Sequence, residues 1–150
     1  MTSGQQNLDS RTESGQEVET YIARLKYALK TDSAKIKIQK NRRVDRNRDK
    51  RYTNAYTIAH LFPKQNPNEV LKKELAKLMI EEYIETVKDK KMPNRSDMRI
   101  FGKVYSKGEV YIKIRVELIK ATKYGVEDLI FVMSFHYSTK PFEKIEFPYS

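Results

Sequence analysis

Three polar side chains that can handle a phosphate alternate along one short segment in the last third of the chain. In GEVYIKIRVELI, residues 108–119, Tyr111, Lys113 and Arg115 occupy every second position. Because successive side chains of a β-strand point to opposite faces of the sheet, a strand here places the phenol, the ammonium and the guanidinium on one face. A polar face is often only a solvated surface, so the alternation alone is consistent with a wet face or with a phosphate site.

A later segment, EDLIFVMSFHY, brings a histidine that can join these groups. It is apolar until Ser134 and then reaches His136 near its end. If the two segments form an antiparallel hairpin, directly opposed residues share a face. A register that pairs His136 with Tyr111 also pairs Ser134 with Lys113. A slip of one residue separates them, and the sequence does not fix the register.

The favourable register predicts chemistry on a phosphodiester. In metal-free RNA cleavage a base removes the ribose 2′-hydroxyl proton, an acid protonates the leaving 5′ oxygen, and cations stabilise the charge that develops. Histidine titrates near neutrality and can serve as acid or base. We therefore predict His136 as the general acid or base and Tyr111 as the group that orients the phosphate or shares in proton transfer. The predicted catalytic set is completed by Lys113 and Arg99.

Other cations are candidates for holding flanking RNA. The segment NRRVDRNRDKRY, residues 41–52, carries six cations against two aspartates. It is equally consistent with an RNA-tracking segment and with an exposed loop that keeps the protein in solution. His60, in a short apolar segment, is predicted to be structural. The residues predicted to bind RNA are Lys88, Arg115, Tyr137, Arg42, Arg43 and Arg46.

Composition narrows the classes of partner and chemistry. The chain has 150 residues with 30 Lys+Arg against 20 Asp+Glu, a net charge of +10, which favours a polyanionic partner: nucleic acid, an acidic protein or an anionic membrane. It has no cysteine, which excludes disulfides, thiolate nucleophiles and cysteine zinc sites. No metal or cofactor is predicted. No apolar run approaches the ~20 residues of a membrane span and no secretory signal follows Met1, so we predict a cytoplasmic protein that does not enter membranes.

The order of predicted elements indicates an α+β fold. Residues 1–18 are polar and are predicted to form a disordered tail, with a single domain over 19–150. The domain is expected to be a small, mainly antiparallel sheet of three to five strands with helices packed on one face. Helices are predicted over 19–30, over 55–62 and from Asn66 to about 87, as one bent helix or two, and strands over 34–40, 98–105, 109–119 and 128–137, with a bulge or bend at Gly102.

The two C-terminal strands resemble the end of the motility quorum-sensing regulator toxins. The matching residues are Val110-Tyr111-Ile112-Lys113-Ile114 and Met133-Ser134-Phe135-His136. The upstream order of elements is also similar, with Glu82-Tyr83 on the preceding helix and a strand around Arg99-Ile100-Phe101. The chain departs from the family pattern in its arginine-rich insert and in the segment after Pro141.

The resemblance implies a RelE-like, barnase-related fold and an RNA-cleaving toxin of a bacterial toxin–antitoxin pair. It gives Tyr111 the place of an active-site tyrosine and His136 the place of a catalytic lysine. Lys88 keeps the charge of a further family lysine. An acidic antitoxin is then the implied protein partner. The alternatives are a nucleic-acid-binding module without catalysis and a domain whose basic surface docks an acidic protein.

Overall fold

The computed structural model describes residues 9–31, 34–39, 49–122 and 125–150, with the backbone alone for 118–122 and 125–128. Arg42, Arg43 and Arg46 lie outside the described residues. The regular elements are β1 (Ser10–Arg11), α1 (Gly15–Lys30), β2 (Ala34–Ile38), α2 (Asn54–Leu61), α3 (Pro67–Leu75), β3 (Tyr83–Val87), β4 (Met98–Tyr105), β5 (Gly108–Thr122) and β6 (Gly125–Tyr137).

The strands form one sheet, and the fold is α+β as predicted. Its order is β1-β3-β4-β5-β6-β2, and every neighbouring pair is antiparallel except β2 and β6. The described residues form six strands, more than the three to five expected, because β1 and β3 extend the sheet beyond β4. Among the described residues no helix is long and apolar enough to cross a membrane.

The three α-helices pack on one face of the sheet, which we call the core face. Each begins at a side chain that accepts a hydrogen bond from a backbone N–H of the first turn: Ser14 forms a capping box with Glu17 on α1, Thr53 caps α2, and Asn66 precedes Pro67 on α3. The helices and the inward side of the central strands bury a single apolar core, which includes Val18, Leu25, Ile58, Leu71, Leu75, Ile112, Ile114, Val132 and Phe135.

Helix α1 begins four residues earlier than the sequence predicted. The described part of the expected tail, residues 9–18, contains β1 and the first turn of α1, where Val18 is buried. Glu13 is also buried, at 6% exposure, and its carboxylate binds Arg99. A polar composition predicted disorder here, but the ion pair with Arg99 of β4 and the local capping box of Ser14 and Glu17 order the segment.

The sequence predicted a helix from Asn66 to about residue 87, but the helix ends at Leu75, so the prediction is wrong beyond that residue. Residues 83–87 form β3, which pairs with β4 and shifts register between Tyr83 and Glu85. The sequence YIETV carries β-branched side chains at Ile84, Thr86 and Val87, which favour an extended backbone. The apolar residues of this segment happen to have helical spacing, but its pairing with β4 makes it a strand.

Candidate nucleic acid site on the open sheet face

The hairpin of β5 and β6 adopts the register that brings histidine and tyrosine together. Tyr111 lies directly opposite His136, and Lys113 lies opposite Ser134. The rings of Tyr111 and His136 stack with centroids 5.5 Å apart and 24° between their planes. These side chains lie on the face opposite the helices, because their neighbours Val110, Ile112 and Phe135 are in the core.

A second row of side chains crosses the same face. Glu85 of β3 pairs with Ile100 of β4, which pairs with Lys113 of β5. Regular alternation would put Glu85 on the same face as Tyr83, which is in the core, but the bulge between them shifts the register and places Glu85 on this face. The row therefore aligns a carboxylate with the ammonium that the sequence singled out.

These rows form the floor of a groove, which we call the sheet groove. It has a volume of about 400 Å³ and is lined by Met98, Ile100, Tyr111 and Lys113 on the floor. One wall is the loop after β3, with the exposed lysines Lys88, Lys90 and Lys91. The lysine predicted to hold flanking RNA, Lys88, thus borders the same groove as Tyr111.

The loop that carries the wall lysines is held by Asp89. Its carboxylate accepts hydrogen bonds from the backbone N–H groups of Lys91 (3.1 Å) and Met92 (3.2 Å) and from the Arg115 guanidinium (2.7 Å). Burial acts to raise the pKa of the Asp89 carboxyl, but these hydrogen bonds and the Arg115 charge outweigh it, so the pKa lies below its ordinary value. The carboxylate therefore stays ionised at neutral pH and fixes the loop.

The C-terminal segment forms the opposite wall. Residues 138–143 and Glu146 line an extension of the groove that also contacts Glu85, Ile100 and Tyr111. Phe142 and Phe147 pack against each other over Gly102, the β4 residue opposite Tyr111. The bulge or bend predicted at Gly102 is absent, because this glycine is regularly paired and its missing side chain makes room for the two rings.

His136 is on the predicted face but is largely covered, with 8% of its surface exposed. Its Nδ1 lies 2.9 Å from the carbonyl oxygen of Tyr137, which can only accept, so Nδ1 carries a proton. In the neutral ring the lone pair is then on Nε2. His136 is therefore in the tautomer whose Nε2 can accept a proton, and its ring stacks against that of Tyr111.

Arg115 has a different role from the phosphate binding predicted for it. Its side chain is 6% exposed, ion-paired with Asp89 at 2.7 Å, and lies over the ring of Phe131 at 5.0 Å. A guanidinium held this way cannot reach an RNA phosphate. It instead positions the loop that carries Lys88, Lys90 and Lys91.

Arg99 lies on the wrong face for the catalytic role predicted for it. It pairs in the sheet with Ile114, so its side chain points to the core face, where it binds Glu13 through Nε (2.8 Å) and Nη2 (3.1 Å). It also lies over the ring of Tyr21 at 4.4 Å. The alternation of β4 therefore places Arg99 on the face opposite the sheet groove, where its side chain forms a structural ion pair with Glu13.

Tyr137 also points to the core face, since it pairs with Val110. Its hydroxyl lies 2.6 Å from Nδ1 of His60. The sheet separates it from Tyr111 and His136, so Tyr137 cannot bind RNA in the sheet groove as predicted. Of the residues predicted by sequence, the structure gathers Tyr111, Lys113, His136 and Lys88.

Glu85 is a candidate that sequence reasoning missed. The sequence predicted a helix at Glu85, and a helix gives this residue no defined pairing with a strand of the sheet. The signal was present in the β-branched residues of YIETV, since alternation from a strand there sets Glu85 and Val87 on one face. Only the bulge and the pairing with β4 identify which face.

Comparisons with protein-family models, with curated proteins and with solved structures found no match for this chain. The resemblance to the motility quorum-sensing regulator toxins therefore stays a prediction. Within the described residues, no three His, Asp or Glu side chains are grouped so that they could hold a metal ion.

Proposed function

We propose that this protein is a metal-independent endoribonuclease of toxin type that cleaves RNA in the sheet groove. The observation that carries the proposal is the alignment of Tyr111 with His136 and of Lys113 with Glu85 on one open face. The groove is bordered by Lys88, Lys90 and Lys91, on a chain with a net charge of +10. Such a surface attracts the RNA backbone.

The residues divide the chemistry between charge stabilisation and proton transfer. Lys113 and the Tyr111 hydroxyl hold the scissile phosphate and stabilise the charge that grows on its oxygens during attack. His136 accepts the 2′-hydroxyl proton at Nε2, and its Nδ1–H bond to the Tyr137 carbonyl keeps the ring in that tautomer. The products are a 2′,3′-cyclic phosphate and a 5′-hydroxyl. The leaving 5′ oxygen takes a proton from water, and the Lys113 ammonium stabilises the charge on that oxygen as the bond breaks.

The test is cleavage of a single-stranded RNA by purified protein in excess EDTA. We expect products with cyclic phosphate ends from wild-type protein and none from the same sequence with 2′-deoxyribose throughout. His136→Ala should lower the rate by roughly 100-fold or more, the usual weight of a general acid or base. Lys113→Ala should also lower it.

Matched variants distinguish a loss of catalysis from a loss of net charge and from misfolding. Lys26→Ala removes the same charge as Lys113→Ala from an exposed position on α1, and it should cleave at the wild-type rate. Tyr111→Phe keeps the ring against His136 but removes the hydroxyl. If His136→Ala and wild-type protein cleave equally, or if cleavage stops in EDTA and returns with a divalent ion, the proposed mechanism is wrong.

The low exposure of His136 favours a second candidate function, a nucleic-acid-binding module without catalysis. It predicts binding of RNA that weakens steeply with salt and leaves the RNA intact after long incubation. In this case Lys113→Ala weakens binding and His136→Ala affects only the stability of the fold. Product formation by wild-type protein decides between the two functions.

We also propose an acidic protein partner and a cytoplasmic location, which follow from the toxin reading. An active ribonuclease harms its host unless an inhibitor covers its groove, and the lysine wall favours a carboxylate-rich surface. Co-expression with an acidic product encoded beside this chain should restore growth that expression of this chain alone arrests. Growth arrest that the neighbour does not relieve would count against that product as the partner.

A further inference from the structure

A cluster of aromatic rings lies on the core face at the end of the β5–β6 hairpin, and none of these rings lines the sheet groove. Tyr56 stacks on His60 with centroids 5.4 Å apart and 19° between planes, and His60 meets Tyr137 edge to face at 5.7 Å. Tyr56 is 39% exposed, so part of its ring is open to a ligand. We call this cluster, with the cavity beside it, the aromatic pocket.

The aromatic pocket has the size and charge of a ligand site. Its volume is about 360 Å³, within the range of small-molecule sites. Lys107 and Lys140 line it, and Arg51 lies at its edge in an exposed ion pair with Asp49. The carboxylate that lines it, Glu109, accepts a hydrogen bond from the backbone N–H of Phe142 at 3.2 Å. Flat rings and nearby cations together suit a base and its phosphate.

The rings are held in place by the elements beneath them. His60 Nδ1 and the Tyr137 hydroxyl lie 2.6 Å apart, and the Lys107 ammonium donates to the His60 carbonyl at 2.8 Å. The backbone N–H of Tyr137 donates to the buried hydroxyl of Thr57 at 2.9 Å. A stacking surface fixed in this way loses little side-chain entropy when a base binds.

The aromatic pocket and the sheet groove meet at the end of β6. Residues 138–141 line both the aromatic pocket and the extension of the sheet groove, and Tyr137 and His136 are neighbours that point to opposite faces. A single strand of RNA can therefore pass around the end of the hairpin from one site to the other. A duplex cannot, because its bases are already stacked on each other and its backbone is stiff.

We propose that the aromatic pocket is a stacking subsite for an unpaired nucleobase of single-stranded RNA, beside the phosphodiester held in the sheet groove. The inference rests on the proposed function only in naming RNA as the ligand. Tyr56 and His60 offer the stacking faces, and Lys107 and Lys140 contact the adjoining phosphates. The substrate class is thereby single-stranded rather than duplex RNA.

The test measures binding without cleavage. A fluorescent single-stranded 2′-O-methyl RNA has no free 2′-hydroxyl to attack, so its anisotropy reports affinity alone. Tyr56→Ala should raise the Kd roughly tenfold, as expected for the loss of one stacked base. Tyr56→Phe keeps the ring and should bind like wild-type protein. The corresponding duplex should bind more weakly and should not respond to Tyr56→Ala.

The matched control is Tyr27→Ala, which removes a tyrosine that is 69% exposed on α1. It should bind the single strand like wild-type protein. Equal affinities of Tyr56→Ala and Tyr27→Ala for the single strand would overturn the subsite, as would an equal loss of duplex binding. Failure to cleave unmodified RNA, with the Tyr56 effect intact, would reject the proposed catalysis and leave the subsite standing.

A second measurement uses the wild-type chain and does not depend on any variant folding. Ultraviolet crosslinking to an RNA containing 4-thiouridine, followed by mass spectrometry, reports which side chains contact bases. We expect adducts on Tyr56, His60 or Tyr137. Adducts found only on peptides outside the aromatic pocket would overturn the inference.

Discussion

Tyr111 and His136 lie opposite each other on adjacent strands and stack with their ring centroids 5.5 Å apart. The two residues are far apart in the sequence, and they meet only because β5 pairs with β6. The contact aligns the one phenol on the floor of the described groove with an imidazole. The candidate site therefore depends on the register of a single hairpin.

The stacked pair should show a measurable energetic coupling. Tyr111→Ala and His136→Ala each remove the same contact, so the double variant should be more stable than the sum of the two losses indicates. We expect a coupling free energy of about 1 kcal/mol, typical of an aromatic pair. Urea unfolding of the wild-type protein, both single variants and the double variant measures it. Strict additivity would show that the rings do not stack in solution.

Arg115→Met should destabilise the protein because it leaves Asp89 without its buried partner. The two side chains are 6% and 10% exposed, and loss of one member of a buried ion pair costs roughly 3 kcal/mol. The double variant Arg115→Met with Asp89→Asn should recover part of this loss. Lys88→Ala, on an exposed side chain of the same loop, should leave the free energy of unfolding nearly unchanged. A mild effect of Arg115→Met would show that the ion pair is solvated.

Gly102→Ala should displace the C-terminal segment. A Cβ at this position would lie 2.8 Å from the Phe142 ring and 2.9 Å from the Phe147 ring, closer than carbon atoms pack. We expect a loss of about 1–3 kcal/mol in the free energy of unfolding, as for other overpacked sites. The same substitution in a Phe142→Ala, Phe147→Ala background should cost much less. Equal costs in both backgrounds would mean that the rings do not cover Gly102.

The ion pair of Glu13 with Arg99 should make stability depend on pH in the acid range. Burial acts to raise the pKa of the Glu13 carboxyl, but hydrogen bonds from Arg99 and Thr86 and the Arg99 charge outweigh it and hold the pKa below its ordinary value of 4.5. A carboxyl whose pKa is lower in the folded state contributes stability that is complete above the unfolded pKa. This contribution is lost as the pH falls below 4.5 and through the folded pKa.

Arg99→Met tests this dependence. Without the guanidinium, burial should raise the Glu13 pKa above its ordinary value, so the variant should gain relative stability as the pH falls. The difference in unfolding free energy between wild-type protein and variant should therefore be largest near neutral pH and shrink in acid. Urea unfolding between about pH 3 and pH 7 measures it, and a difference that does not change with pH would contradict the assignment.

Much of the site was predictable from the sequence because strand alternation is a local property. The pattern of GEVYIKIRVELI placed Tyr111 and Lys113 on one face, and the structure confirms this. The same rule, applied to β4 and to the end of β6, would have placed Arg99 and Tyr137 on the core face. Arg99 and Tyr137 each lie two residues from a phenylalanine of the core, Phe101 and Phe135, and therefore share its face.

The sequence by itself determined the local features: the cap at Asn66, the alternation of β5, and the basic charge of the chain. These depend on residues close together in the chain and on composition. Only the tertiary structure decided the hairpin register, the strand conformation of YIETV, the burial of Arg99 and Arg115 in ion pairs, and the role of Gly102. Each of these depends on a partner from a different element, and no local preference can supply that partner.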